Sequence, residues 1–304
     1  MLKQQSIKEV WLFFLLLCLL NPLVTIAQTK RIFEISTANL CIKIDPSYGG
    51  RVTSLTINQD EMLINKNSQP ANFGSTLWPS PQSDWGWPPS KNLDIMPYKV
   101  LEASSKSMEI QSENDTVSGY QFTKKFCSND ADSSFIIVYT IRNISASQKI
   151  VAPWEITRVS SGGIVFFSKG AEKCLDKSDM TYNDTLNTIW YTAYEHKLIK
   201  SQKLFYHARG WIAHCNNGIL FLKTFPDFPP SQSAPNEEEV ELYVSNDFPY
   251  MEIENQGLFT KLAPGGSLQW IVTWYVRQLP AALKDIHQPS SILLKYVKQN
   301  FHLN

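Results

Sequence analysis

From Ile32 onward the chain breaks into short runs of β-branched and aromatic residues separated by turn formers, and this rhythm limits what it can fold into. Ile32 to Ile35, Leu40 to Ile44 and Arg51 to Ile57 come first. Tyr98 to Glu102, Ser107 to Gln111, Tyr120 to Phe126 and Phe135 to Arg142 follow. Ile150 to Val159, Lys203 to His207, Trp211 to Cys215, Ile219 to Phe225 and Val240 to Val244 come next, then Tyr250 to Glu254 and Leu268 to Val276. Most are bounded by Gly, Asn, Asp, Ser or Pro, the punctuation expected of strands. Several alternate: Phe122 and Phe126 share one face of Gln121 to Phe126. The clearest helical pattern is the tail after Gln288-Pro289, where Ser290 or Ser291 caps a stripe of Ile292, Leu293, Tyr296, Val297 and Phe301. So many strands at this spacing predict an all-β chain, a large antiparallel β-sandwich with a short C-terminal helix. Apolar residues make up 43% of the chain and charged ones 18%, enough buried surface to offset the entropy of ordering. Phe228 to Asn236 reads as a surface loop, and no repeat or long linker divides the chain.

The N-terminus has a different character. Lys3 and Lys8 precede the uninterrupted apolar run Val10 to Leu20, which Asn21-Pro22 breaks, and Thr25-Ile26-Ala27 offers small residues at a cleavage site. This layout predicts a signal peptide over residues 1–27, cut before Gln28, and a secreted or periplasmic protein of residues 28–304 folded as one domain. The apolar run is well short of the ~20 residues of a spanning helix, and no later segment is apolar enough to span. Cys41, Cys127, Cys174 and Cys215 remain after the leader. They permit three pairings, have no C-x-x-C spacing, and leave free buried thiols equally open. The formal charge is zero, which gives no electrostatic case for nucleic acid or an anionic membrane.

No H-E-x-x-H, P-loop, G-x-S-x-G or G-x-G-x-x-G occurs. The most unusual segment runs from Trp78 to Pro89, with Trp78, Trp85 and Trp87 among four prolines. Proline disfavours a central strand, so a stiff loop displaying indoles is expected. An indole pairs an apolar face with one N–H donor, which suits a sugar ring, and Gln82 and Asp84 supply groups for hydroxyls. The alternative is a loop whose rings plug the core. In Tyr250 to Gly257, alternation sets Met251 and Ile253 on one strand face and Glu252 and Glu254 on the other, the two carboxylates roughly 7 Å apart. Such proximity can raise one pKa into a range useful for acid–base work, although a solvated face is the commoner reading. In Ala152 to Arg158, Trp154, Ile156 and Arg158 share one face, with Glu155 and Thr157 on the other. Arg158 there suits a carboxylate partner or a bidentate hold on sugar hydroxyls. Among the histidines, His207 beside Tyr206 and Arg209 is a better chemical candidate than His214.

These segments, in this order, resemble the galactose mutarotase-like superfamily. Asp45 to Val52 is similar to the Gly-rich opening turn of those domains. Ile253-Glu254-Asn255-Gln256 is similar to the Leu-Glu-Thr-Gln segment that carries their catalytic base. Leu262-Ala263-Pro264-Gly265-Gly266 with Trp270 to Val276 is similar to the turn and closing strand that follow. The Trp78-to-Pro89 and Trp154-to-Arg158 blocks resemble one bacterial branch, the domain-of-unknown-function family forty-three-eighty, over nearly all of residues 28–304. The sequence assigns no residue to a metal, and the resemblance implies a supersandwich with a sugar cleft on a concave face and no cofactor. It also implies mutarotase chemistry, in which a glutamate takes the anomeric proton while a histidine protonates the ring oxygen. The glutamate carries over to Glu254. The histidine has no match, its place being taken by Trp154-Glu155-Ile156-Thr157, which leaves Glu155 or His207 as substitutes.

Three readings follow. The leading one is an exported domain that binds a mono- or oligosaccharide through Trp78, Gln82, Asp84, Trp85, Trp87, Arg158 and Glu252, beside Glu254. The second is an active aldose 1-epimerase with Glu254 as base and His207 or Glu155 as acid. The third is a non-catalytic scaffold or partner-binding module.

Overall fold

The structure is a computed structural model that describes residues 32–170, 180–192, 198–247 and 250–303. Its strands begin with β1 (Phe33–Thr37), β2 (Leu40–Asp45), β3 (Arg51–Ile57), β4 (Asp60–Glu61) and β5 (Ser75–Ser80). After the single-turn helix α1 (Lys91–Asp94) come β6 (Lys99–Ala103), β7 (Ser107–Gln111), β8 (Tyr120–Asn129), β9 (Ser134–Asn143) and β10 (Lys149–Ser160). Then follow β11 (Ile164–Ser168), β12 (Asn183–Thr185), β13 (Thr188–Thr192), β14 (Gln202–Tyr206), β15 (Trp211–Asn216) and β16 (Ile219–Thr224). The last are β17 (Val240–Val244), β18 (Tyr250–Gln256), β19 (Thr260–Leu262) and β20 (Ser267–Gln278), before helix α2 (Ser291–Asn300).

Two ten-stranded sheets account for these strands. The first runs β1-β2-β3-β5-β10-β18-β17-β14, with β4 on β3 and β19 on β10. The second runs β12-β13-β11-β15-β16-β20-β9-β8-β7-β6. Every ladder between them is antiparallel, for example β10 with β18 and β20 with β9. One hydrophobic core joins Ile42, Leu55, Leu77 and Ile253 of the first sheet to Phe122, Ile137, Phe221 and Val272 of the second. This is the large antiparallel sandwich the strand rhythm predicts. No helix among the described residues is long and apolar enough to cross a membrane.

Beyond short strands that the sequence reading passes over, such as β11, β13 and β19, two details differ from it. The Trp78–Pro89 segment is not loop throughout, because its first residues finish β5, in which Pro79 lies opposite Pro153 of β10. A residue's N–H and C=O point to the same side of an antiparallel strand. Pro79 O accepts the indole N–H of Trp85 at 2.8 Å, so its ring nitrogen faces a side where no ladder bond is lost. On its other neighbour, β5 pairs with β3 at Val52↔Ser75. The second difference is in α2. Ser290 caps it by accepting the Leu293 N–H at 3.2 Å, as expected, but Leu293, Leu294 and Val297 are the buried residues and Ile292 is exposed.

Cys41, Cys127 and Cys215 are free thiols. Cys174, Cys18 and the whole leader lie outside the described residues.

Polar ties also cross between the sheets. Glu155 of β10 accepts bonds from Tyr139 Oη (2.8 Å), Lys223 Nζ (3.1 Å) and Trp274 Nε1 (3.1 Å), all on the second sheet. Lys124 of β8 donates to Gly49 O at 2.7 Å. Gly49 sits at φ +63°, and a Cβ there would lie 1.8 Å from the Asp94 carbonyl oxygen. Only glycine lets the β2–β3 turn approach α1 this closely.

Candidate functional site

Strand parity sorts the polar residues of the first sheet. Glu155, Thr157 and Ile253 point toward the second sheet. Trp154, Ile156 and Arg158 of β10 point the other way, in register with Gln256, Glu254 and Glu252 of β18. Trp78 and Thr76 of β5 and Glu241 of β17 join them on this outer face. The face has a small apolar cluster of its own, Trp78, Trp154 and Ile156, with Trp85 packed against it.

Trp78 is the hub. Its ring meets Trp154, Trp87 and Trp85 edge to face at 5.5, 5.7 and 5.9 Å. Its N–H donates to Asp94 Oδ1 at 2.8 Å. Arg51 Nη2 reaches the same oxygen at 2.9 Å. Burial alone would push the Asp94 pKa up, but Arg51, the Trp78 N–H and Arg158 outweigh it and hold the carboxyl below its ordinary value. Arg158 lies over Trp78, its guanidinium carbon 5.4 Å from the ring centre, and its Nε donates to Glu252 Oε1 at 2.8 Å. Arg158 Nη1 is buried and has no hydrogen-bond partner.

Glu254 is 1% exposed. Its Oε2 accepts the Trp154 N–H at 2.9 Å and faces Lys203 Nζ at 3.1 Å. Lys203, on β14, also pairs with Glu241 Oε2 at 2.6 Å and lies over the Trp154 ring at 4.8 Å. Two buried carboxylates thus share one ammonium. Desolvation raises the pKa of Glu254; Lys203 pulls it back, and Glu241 and Glu252 push it up again, leaving it above the ordinary carboxylate range. Lys203, between two carboxylates, binds its own proton more tightly than usual despite its burial.

The structure therefore brings together Trp78, Trp85, Trp87, Arg158, Glu252 and Glu254. The Trp78 and Trp154 indole N–H groups already serve Asp94 and Glu254, and Trp78 is 5% exposed, so these two rings form a floor. Trp87 is 63% exposed and Trp85 half-buried, and these two line the rim. Gln82 and Asp84 lie on a 3₁₀ turn at the end of β5, where the Gln82 N–H donates to Glu237 Oε1 at 2.9 Å. A cavity of about 630 Å³ opens beside this turn, lined by Asp84, Trp85, Tyr120, Lys149 and Phe259 among others. Trp85 touches both the cavity and the outer-face cluster, whereas Glu254 and Arg158 are not part of that lining.

Two candidates stand apart. Glu155 is committed to the space between the sheets, on the opposite face of β10 from the one Glu254 shares. His207, just past β14, lies among Glu238, Glu239 and Phe228. Lys203, Glu241, Asp94 and Arg51 were not singled out by the sequence. Lys203 and Glu241 sit in strands the sequence predicts, and their parity there carries the signal. Asp94 and Arg51 meet only through the tertiary approach of α1 to the Gly49 turn.

The fold has relatives of known structure. An Escherichia coli K12 protein provisionally described as an aldose 1-epimerase superposes with a TM-score of 0.60 at 12% identity, covering 82% of this chain and 99% of that one. A galactose mutarotase related enzyme from Lactobacillus acidophilus gives 0.56 at 11%, covering 83% and 99%. A TPR-domain containing protein from Parabacteroides distasonis gives 0.58 at 15%, covering 86% of this chain and 49% of that one. At such identities the likeness establishes the fold, a galactose mutarotase-like sandwich. No curated protein sequence matches significantly. Residues 30–277 match the family described as Domain of unknown function (DUF4380), and the chain belongs to that family.

Proposed function

We propose that this protein is an exported carbohydrate-recognising domain, residues 28–304, that binds a mono- or oligosaccharide on the outer face of the first sheet. The observation that carries the reading is the convergence of an aromatic floor and rim with an unsatisfied donor. Trp87 and Trp85 meet Trp78 edge to face, and Arg158, whose guanidinium lies over the same Trp78 ring, has a buried Nη1 with no hydrogen-bond partner. Rings take the apolar face of a sugar, and charged groups take its hydroxyls. The structural relatives described as galactose mutarotase related or aldose 1-epimerase add support from the fold. Export rests on the leader, and N-terminal sequencing of the protein from its host checks for a start at Gln28.

A second reading, turnover, is favoured by one observation: Glu254 is a carboxyl whose proton affinity has been moved toward neutrality, where a general base works best. Mutarotation also needs an acid at the ring oxygen. Glu155 faces the other way, and His207 belongs to a separate carboxylate group. The protonated group beside Glu254 is Lys203, whose two carboxylate partners make it a poor donor. Binding is the better supported reading.

Proton NMR of a panel of free sugars with the purified protein, following line widths and α/β anomer exchange together, separates the two. Binding predicts selective broadening without faster exchange, and a Trp87→Ala variant about tenfold weaker, equivalent to roughly 1.4 kcal/mol. Accelerated exchange that vanishes in Glu254→Gln would establish turnover instead. No effect from the free sugars or from oligosaccharides would overturn both readings and leave a scaffold.

A further inference from the structure

Just before β17 the chain buries three consecutive carboxylates, Glu237, Glu238 and Glu239. Buried charges are normally paired, hydrogen-bonded or bound to metal. Glu239 is 0% exposed. Its Oε1 accepts the Gly210 N–H at 3.0 Å, while its Oε2 is buried without a hydrogen bond. Facing Oε2 is His207 Nε2 at 3.9 Å, and the other ring nitrogen, Nδ1, lies 3.9 Å from Glu238 Oε2. Asp227, from the segment after β16, supplies a third group. One ligand atom from each of His207, Asp227 and Glu239 lies within 4.8 Å of the others.

Several features give this cluster the form of a built site. At 3.9 Å the His207–Glu239 gap is too wide for a hydrogen bond. Metal–ligand bonds of about 2.1 Å set ligand atoms roughly 3.4 Å apart in a tetrahedron, so the His207–Glu239 pair closes by about half an ångström around an ion and the widest pair by up to about 1.4 Å, within reach of side-chain movement at the exposed Asp227. A metal-bound histidine commonly has a carboxylate hydrogen-bonded to its other nitrogen, and Glu238, 3.9 Å from Nδ1, stands on that side and takes the role as the cluster closes. Phe228 meets the ring edge to face at 5.6 Å, and the Gly170 N–H holds the His207 carbonyl at 2.9 Å. Asp227 is exposed and also borders a second cavity, of about 240 Å³, which provides an entry path.

We propose that His207, Asp227 and Glu239 bind one divalent transition-metal ion, with Glu238 orienting His207 from behind. One imidazole with two carboxylates suits Zn²⁺ or Mn²⁺ better than Ca²⁺ or Mg²⁺, which prefer all-oxygen sets. The ligands come from three separate segments, so no linear spacing in the sequence announces them. The site does not depend on sugar binding. It lies along the strand from the cleft, since the Gln256 N–H bonds Glu239 O and carries the ladder one residue beyond Val240.

The test is isothermal titration of EDTA-stripped protein with ZnCl₂, repeated with MnCl₂ and CaCl₂. One Zn²⁺ or Mn²⁺ per chain is expected, with Asp227→Asn at least tenfold weaker, Glu239→Gln at least a hundredfold weaker, and Glu254→Gln unchanged. Asp227 is exposed, so its variant keeps the test valid if Glu239→Gln fails to fold, which circular dichroism reports. Zinc binding that survives both Asp227→Asn and a folded Glu239→Gln would overturn the proposal. So would the absence of stoichiometric Zn²⁺ or Mn²⁺ binding, or tighter binding of Ca²⁺.

Discussion

Glu155 and Glu254 are both buried glutamates on neighbouring strands, yet they serve opposite sides of one sheet. Strand parity alone decides which becomes structural, and parity was legible: the alternation of Trp154 to Arg158 and of Met251 to Glu254 already separates the two faces. What was not legible is which partner each charge meets, since Lys203 and Lys223 lie on β14 and β16, far along the chain. His207 and His214 show the same limit. His214 is fully buried, its Nε2–H donating to Gly162 O at 2.7 Å, and desolvation lowers its pKa to about 4. The folded state holds this ring neutral while the unfolded chain protonates it near 6.5. Its contribution to stability is therefore complete above that value and lost as pH falls through about 4. Urea unfolding between pH 7 and pH 4 should show an acid-side loss of up to roughly 3 kcal/mol, and His214→Gln should flatten that part of the profile.

Among the elements, β10 carries the most responsibility. It pairs with β5, β18 and β19, sends Glu155 into the sandwich and sets Trp154 and Arg158 on the outer face. The sequence predicts it from Ile150 to Val159, and the observed strand extends one residue further at each end. β5 was hidden because Pro79 argues against a strand, and the bond that excuses the proline comes from Trp85 in the following turn. β11 was missed for a different reason. Ile164 to Ser168 is buried throughout, so it shows no alternation to separate it from a generic apolar run. The β2–β3 turn was visible as a glycine pair, but its role appears only in space, where Gly49 lets α1 bring Asp94 to Arg51 and Trp78. Gly49→Ala should destabilise the fold by about 2–3 kcal/mol through positive φ and the clash with the Asp94 carbonyl. Chemical denaturation measures the loss, and near-ultraviolet circular dichroism should register the displaced Trp78.

The whole molecule is two sheets held by an apolar core with a few polar ties through it. The pairing of Lys223 with Glu155 is the deepest of these, both side chains being 0% exposed. Desolvation lowers the Lys223 pKa and Glu155 opposes it, so the lysine depends on its partner for its charge. Lys223→Met should cost about 3–5 kcal/mol in unfolding free energy, because it leaves Glu155 buried without a counter-charge. Changing both residues to apolar ones, Lys223→Met with Glu155→Leu, should recover much of that loss. The all-β architecture was legible because many short strands leave few alternatives, whereas the order of strands across each sheet depends on long-range pairing that local pattern does not encode. The four-indole cluster centred on Trp78 carries one more consequence. Rings held edge to face at 5.5–5.9 Å share their electronic excitations, so the protein contains an exciton-coupled chromophore. Its most exposed member is Trp87, so a ligand seated on the proposed sugar site would alter the optical signature of the cluster, a label-free gauge of occupancy.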